Sequence, residues 1–164
     1  MVDLDEAFEA YVDDLYRYLF SLSKNHHTAE DLVQETFYRA FLQLSEDDIR
    51  QIKPWLFKVA YHTFIDFNRK HQRLVITDEV QHRISVKTPE MDLIEKEGFT
   101  TLMNDLHSLK ESEMHALVLC DLHQLSLKEA AEILQLNINT LKSHLSRGRK
   151  KVVERVKERR RQDG

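Results

Sequence analysis

The chain has 164 residues, a formal net charge of -4, 32% charged and 41% hydrophobic residues, and only three glycines, two prolines and one cysteine. So little glycine and proline beside so much charge excludes collagen-like and low-complexity chains, and one cysteine excludes an internal disulfide framework. A net acidic chain is a poor general coat for nucleic acid, and no run of about 18 apolar residues exists to cross a membrane. With no signal peptide at its start, the expectation is a cytoplasmic, soluble, all-α protein; its length fits one well-filled domain or two small ones.

The first helical pattern runs from about Leu4 to Leu22, with Phe8, Tyr11, Val12, Leu15, Tyr18, Leu19 and Leu22 on one face. Asn25-His26-His27 breaks the period and reads as a surface turn. No cysteine or carboxylate stands at ligand spacing to make the two histidines a metal site. Thr28 with Asp31 has the spacing of a capping box for the next helix. Its core face is Leu32, Val33, Thr36, Phe37, Ala40, Phe41 and Leu44, while Asp31, Gln34, Glu35 and Arg39 point elsewhere.

Residues 45–53 read as a polar loop, and Pro54 suits the first position of a third helix. Here Trp55, Phe57, Tyr61, Phe64 and Phe67 are interleaved with Lys58, His62, Asn68, Arg69, Lys70, His71 and Arg73. Rings beside cations suit unpaired bases, which stack on aromatics while their phosphates are neutralised; packing of the rings in a core is the competing reading.

From about His71 to Lys87 the periodicity fails, and so long a stretch without a pattern marks a linker and a domain boundary. Thr88 and Pro89 restart a helix as cap and first residue, with Leu93, Ile94, Phe99, Leu102, Met103, Leu106 and Leu109 on its core side. Ser108 with Glu111 offers a cap for a helix over 111–123, whose buried face is Met114, Leu117, Val118 and Asp121 or Leu122. Cys120 reads as a buried structural thiol, and His107, His115 and His123, eight apart, as structural or surface histidines.

Ser126 to Lys151 reads as two short helices joined by a tight turn. Ser126 and Glu129 form a capping box, and Leu127, Ala130, Ala131, Ile133 and Leu134 supply a face to bury. After the turn at Gln135-Leu136-Asn137, Asn137 caps the second helix, and Leu136 with Leu141 has the spacing of a hydrophobic staple. Leu141 and Leu145 face inward, leaving Lys142, Ser143, Ser146, Arg147, Lys150 and Lys151 on other faces. Hydrogen-bonding groups followed by cations are what a helix in a major groove needs. An ordinary helical hairpin with a solvated basic face shares the pattern.

Charge is divided along the chain. Residues 1–48 hold twelve acids and three bases, whereas 142–164 hold ten bases and three acids. The acidic end suits a protein partner and the basic end DNA, with solubility and mutual attraction of the two ends as the plainer alternative. The sequence contains no P-loop, GxGxxG, HExxH, nucleophile elbow or CxxC, so no cofactor, metal site or small-molecule substrate is expected.

In order, AEDLVQETFYRAF, PWLFKVAYHTFIDFNRK and LSLKEAAEILQLNINTLKSHLSRGRKKV resemble the polymerase-binding helix, the minus-10 helix and the minus-35 reader of the extracytoplasmic-function group of bacterial RNA polymerase sigma factors. The resemblance spans nearly the whole chain. It implies two helical bundle domains, residues 1–72 and 89–164, joined by a linker at 73–88, with the helix-turn-helix and a basic tail in the second. It implies core RNA polymerase, through its clamp helices, and promoter DNA as partners, with an anti-sigma factor as a further one. By position, Asp31, Leu32, Gln34, Glu35 and Phe37 match the polymerase face; Trp55, Lys58, His62, Asp66, Arg69 and Lys70 the minus-10 helix; and Thr140, Lys142, Ser143, Ser146 and Arg147 the minus-35 contacts. The family often has Asn at His62 and commonly Gly at Gln135, where glutamine in a left-handed turn costs roughly 1 kcal/mol.

Two rivals share parts of the pattern: an autonomous dimeric helix-turn-helix regulator, and an interaction adaptor that does not bind DNA. The first has no need of the aromatic and basic helix at Trp55, and in the second the basic tail is only a solvated face, which salt-sensitive binding to duplex DNA would count against.

Overall fold

The structure, a computed structural model, describes residues 3–46, 49–74 and 93–163. The described residues are helical with no strand, and the chain divides into two compact units, Met1–Lys87 and Thr88–Gly164. The all-α, two-unit expectation holds. The linker read at 73–88 lies outside the described residues, except that 73 and 74 close a helix; the cap and proline read at Thr88 and Pro89 lie outside them too.

The first unit is built from α1 (Leu4–Ser23), α2 (His26–Gln43) and α3 (Ile52–Leu74), each packed on the other two. Asp3 caps α1 by accepting from the Asp5 and Glu6 N–H groups, and Lys24 ends it in the left-handed region at φ 60, its N–H donating to the Phe20 carbonyl. Leu15, Tyr18, Leu19, Leu56 and Phe57 are completely buried, each worth about 1.5–3 kcal/mol of transfer free energy. Ala29, Ala40 and Ala60, also fully buried, let the backbones approach. The buried hydroxyls of Thr36 and Thr63 donate to the Leu32 and Val59 carbonyls one turn back, so neither costs an unmade hydrogen bond.

The start of α2 differs from expectation. Asn25, not Thr28, is the cap, its side-chain oxygen accepting from the Thr28 N–H at 3.0 Å. His26 and His27 thus lie in the helix rather than in a surface turn. His26 is fixed between the Tyr16 hydroxyl, which meets its Nδ1, and Glu30, 3.1 Å from its Nε2.

The second unit comprises α4 (Leu93–His107), α5 (Glu111–Leu117), α6 (Leu127–Leu134) and α7 (Ile138–Asp163). Ser108 does not cap α5. Its hydroxyl donates to the Asp105 carbonyl at the end of α4, and Lys110 holds the cap position, its N–H donating to the Glu113 carboxylate. The helix expected over 111–123 changes at Val118 into a π turn ending at Leu122, where the His123 N–H reaches the Val118 carbonyl. The extra residue in this turn rotates the side chains after it about the helix axis. Leu119 becomes fully buried, while Asp121 and Leu122, one of which was expected to face the core, are both exposed.

The last helix runs unbroken for 26 residues, so the stretch read as a basic tail is part of α7. It packs on α5 with Leu141, Leu145 and Gly148 buried. A Cβ at Gly148 would lie 3.2 Å from Leu117 Cδ1 and 3.3 Å from the Glu113 carbonyl oxygen. Glycine is what lets the two helices touch there.

Candidate nucleic-acid and protein interfaces

On α2, the five residues matched to the polymerase face divide by burial. Asp31, Gln34 and Glu35 are exposed, whereas Leu32 and Phe37 belong to the core, Phe37 with its ring edge-on to Phe8 at 4.8 Å. Two buried side chains offer no contact surface themselves; they fix the helix that presents the other three. The same helix exposes Tyr38, Phe41 and Leu42 by 60%, 65% and 54%. Phe41 was expected on the core face. Apolar residues at i, i+3 and i+4 left in water beside Glu35 continue the acidic surface, and of the three periodicity had assigned only Phe41 inward.

On α3 the rings also divide. Phe57 and Phe64 are buried, Phe57 5.0 Å from Tyr18, so the core reading holds for them; Trp55, Tyr61 and Phe67 are half-exposed. Lys58, His62 and Asp66 are half-exposed and Arg69 and Lys70 exposed, all on the same helix. Asp66 accepts from the Arg39 guanidinium at 2.7 Å, and Arg39 also donates to Glu35 at 3.1 Å. The Arg39 hydrogen bond holds the Asp66 carboxyl below its ordinary value. Glu35, Arg39 and Asp66 form a chain from the exposed side of α2 to α3. Sequence reasoning had put the ends of this chain in two different interfaces.

In the second unit, the capping box closes as expected: the Ser126 hydroxyl accepts from the Glu129 N–H at 3.0 Å, and Glu129 from the Ser126 N–H at 2.9 Å. Gln135 ends α6 in the left-handed region, φ 55 and ψ 47, the conformation expected of a turn glycine. Asn137 Oδ1 then accepts from the Asn139 N–H at 2.8 Å and starts α7. Thr140, Lys142, Ser143, Ser146 and Arg147 are all exposed, with Leu141 and Leu145 buried behind them. All five sequence-matched positions face solvent on one helix.

Beyond them, the basic surface is smaller than composition suggests. Arg149 makes a bidentate pair with Asp121 at 2.7 and 2.8 Å, and Lys151 donates to buried Glu113 at 2.7 Å. Arg155 and Arg159 both reach Asp105, which is only 4% exposed. These cations attach α7 to the rest of its unit. Beside α7, Cys120 is half-buried rather than enclosed, and lines an open hollow of about 540 Å³ with Leu125, Ser126, Leu127, Lys142, Leu145, Ser146 and Arg149. Burial pushes its thiol up, away from the reactive thiolate.

The two units coincide with two family models: sigma-70 region 2 matches residues 7–74, and sigma-70 region 4 matches residues 102–152. An ECF RNA polymerase sigma factor, SigM of Bacillus subtilis, is 38% identical over 153 residues, covering 91% of this chain and 92% of that protein. The chain belongs to the extracytoplasmic-function RNA polymerase sigma factors. SigE of Mycolicibacterium smegmatis, also an ECF sigma factor, is 31% identical over 93% of this chain, which spans 61% of that longer relative. Among solved structures, the sigma factor RpoE of Bartonella quintana, crystallised with the anti-sigma factor NepR, superposes with a TM-score of 0.78 at 27% identity, covering 93% of this chain and 96% of that one. This sigma factor therefore serves transcription initiation, in a family that is not itself catalytic. No helix among its described residues is long and apolar enough to cross a membrane.

Proposed function

We propose that this sigma factor divides its work between domains at 1–72 and 89–164, joined by a linker at 73–88. The first docks on the clamp helices of core polymerase through Asp31, Gln34 and Glu35, with Leu32 and Phe37 holding α2 from behind and Tyr38, Phe41 and Leu42 adding apolar area. Trp55, Lys58, His62, Asp66, Arg69 and Lys70 then meet the minus-10 element as it opens, half-exposed rings taking bases and cations taking phosphates. Thr140, Lys142, Ser143, Ser146 and Arg147 read the minus-35 element from α7.

The observation carrying this reading is the solvent face of α7, where all five minus-35 positions are exposed on a capped, well-packed helix. An adaptor that never meets DNA has no use for that face. The protein works in the cytoplasm and is not an enzyme, since polymerase performs the chemistry. An anti-sigma factor restrains it, a partner that the solved relative has by its description.

The docking half is tested by Asp31→Arg with Glu35→Arg. Both side chains are exposed and four apart, so reversing them turns attraction into repulsion without removing a core contact. Capture of core polymerase should be lost with helicity unchanged. Wild-type capture would show that the acidic side of α2 serves another partner.

A further inference from the structure

On α7, Arg147 is held by the protein along one edge. Its Nε lies 3.6 Å from Glu113 Oε2, and an Nη2 hydrogen bond at 3.0 Å joins it to His144 Nδ1. Glu113 comes from α5, and its side chain is 1% exposed. One carboxylate oxygen takes hydrogen bonds from Lys151 Nζ at 2.7 Å and the Lys110 N–H at 3.3 Å; the other has no hydrogen bond among the described residues and faces Arg147. The close contact at Gly148 brings this carboxylate within reach of α7.

Guanidinium has two edges that can make paired hydrogen bonds. With Nη2 hydrogen-bonded to His144 and Nε drawn by charge to Glu113 at 3.6 Å, the end-on edge, Nη1 with the remaining Nη2 proton, makes no hydrogen bond among the described residues, on a side chain 56% exposed. That is the edge which reaches a guanine O6 and N7 pair in a major groove. An arginine fixed in this way gives up less conformational freedom on binding and is less able to swing to a neighbouring phosphate, which would carry no sequence information.

We infer that Glu113 is a specificity-determining positioning residue: it aims Arg147 at one base pair of the minus-35 element. The inference rests on α7 being the minus-35 reader. Glu113 touches no DNA; it acts through Arg147, while Lys151 neutralises its other oxygen. A purely structural Glu113 would, when altered, weaken all sequences alike.

The test is selection from a promoter library by the full-length protein with core polymerase, comparing wild type, Glu113→Gln, Arg147→Ala and their combination, each over a range of salt. Arg147→Ala should lose preference at one base pair by about tenfold. Glu113→Gln should lose it at the same base pair, the double variant should lose no more, and the salt dependence of Glu113→Gln should steepen as its freed cations turn to phosphates. Glu113→Asp is the second variant should the glutamine fail to fold. It keeps charge beside Lys151 but draws the carboxylate one methylene back from Arg147, and should show the same positional loss. Full preference at that base pair in the Glu113 variants, when Arg147→Ala has lost it, overturns the positioning role alone. No positional loss in Arg147→Ala overturns the role of Arg147 as a reader, and the inference with it.

Discussion

Arg39 on α2 and Asp66 on α3 meet at 2.7 Å, with side chains 27% and 44% exposed, and the same guanidinium holds Glu35. At this exposure solvent screening leaves the pair worth under about 1 kcal/mol of stability, so its consequence lies in charge placement. On the proposed function α3 meets DNA, and a carboxylate there repels phosphate unless a cation covers it. Arg39→Ala should therefore slow promoter opening by up to about fivefold, and Asp66→Asn in that background should restore it. A fluorescent reporter of open complexes measures both; failure of the second change to rescue would mean that Arg39 acts otherwise.

Gln135 sits at φ 55 and ψ 47, where a side chain is strained and glycine is not. Gln135→Gly should stabilise the second unit by about 1 kcal/mol and raise its melting temperature by roughly 4–8 °C, with promoter choice unchanged. Thermal unfolding followed by circular dichroism decides it. A lower melting temperature would mean that the glutamine side chain contributes more than its backbone strain costs.

At Gly148 the prediction has the opposite sign. The surrounding atoms are a Leu117 methyl and the Glu113 backbone, and only the first can move aside. Gly148→Leu should cost about 1–3 kcal/mol by overpacking, measured in urea, and loosen α7 against α5.

Much of this was legible because it is local. Ser126 with Glu129, Asn137, and Leu141 with Leu145 lie within a few residues of their partners, and each does what its spacing predicts. Two local readings failed, since Asn25 rather than Thr28 and Lys110 rather than Ser108 hold the caps, but most of what the chain concealed depends on distant residues. Periodicity placed Leu32 and Phe37 in the core, as they are, although the family match put them in an interface; Phe41 was given to the core but is exposed, because α1 and α3 together set which side of α2 is covered. The basic tail carried a similar ambiguity. Arg149, Arg155 and Arg159 find their carboxylates 28, 50 and 54 residues earlier, and no periodicity reveals that. The π turn at Val118 also has no local signature, and it leaves both Asp121 and Leu122 exposed where one of them was expected to face the core.

Acid should expose the Glu113 contacts. The Lys151 hydrogen bond, aided by the Lys110 N–H, holds its carboxyl below the ordinary value of 4.5 in the folded unit. As pH falls the unfolded chain binds that proton first, so the contribution of Glu113 is complete above the unfolded value and is lost as pH drops through the lower folded one. Between pH 7 and about pH 3, wild type should lose more stability than Glu113→Gln, which has no such proton to bind. Equal losses would place the acid sensitivity in other carboxylates.

The proposed function requires this protein to read promoters as a part of polymerase and not alone. A short reading surface on α7 buries little area, and the rings on α3 need unpaired bases that closed duplex does not offer. The decisive measurement is a gel-shift titration on the selected promoter, at about physiological salt, with and without core polymerase. The free protein should bind weakly, and binding should become tight and sequence-specific once core polymerase is added. Nanomolar, sequence-specific binding by the protein alone, as a dimer on a palindromic site, would contradict the proposal.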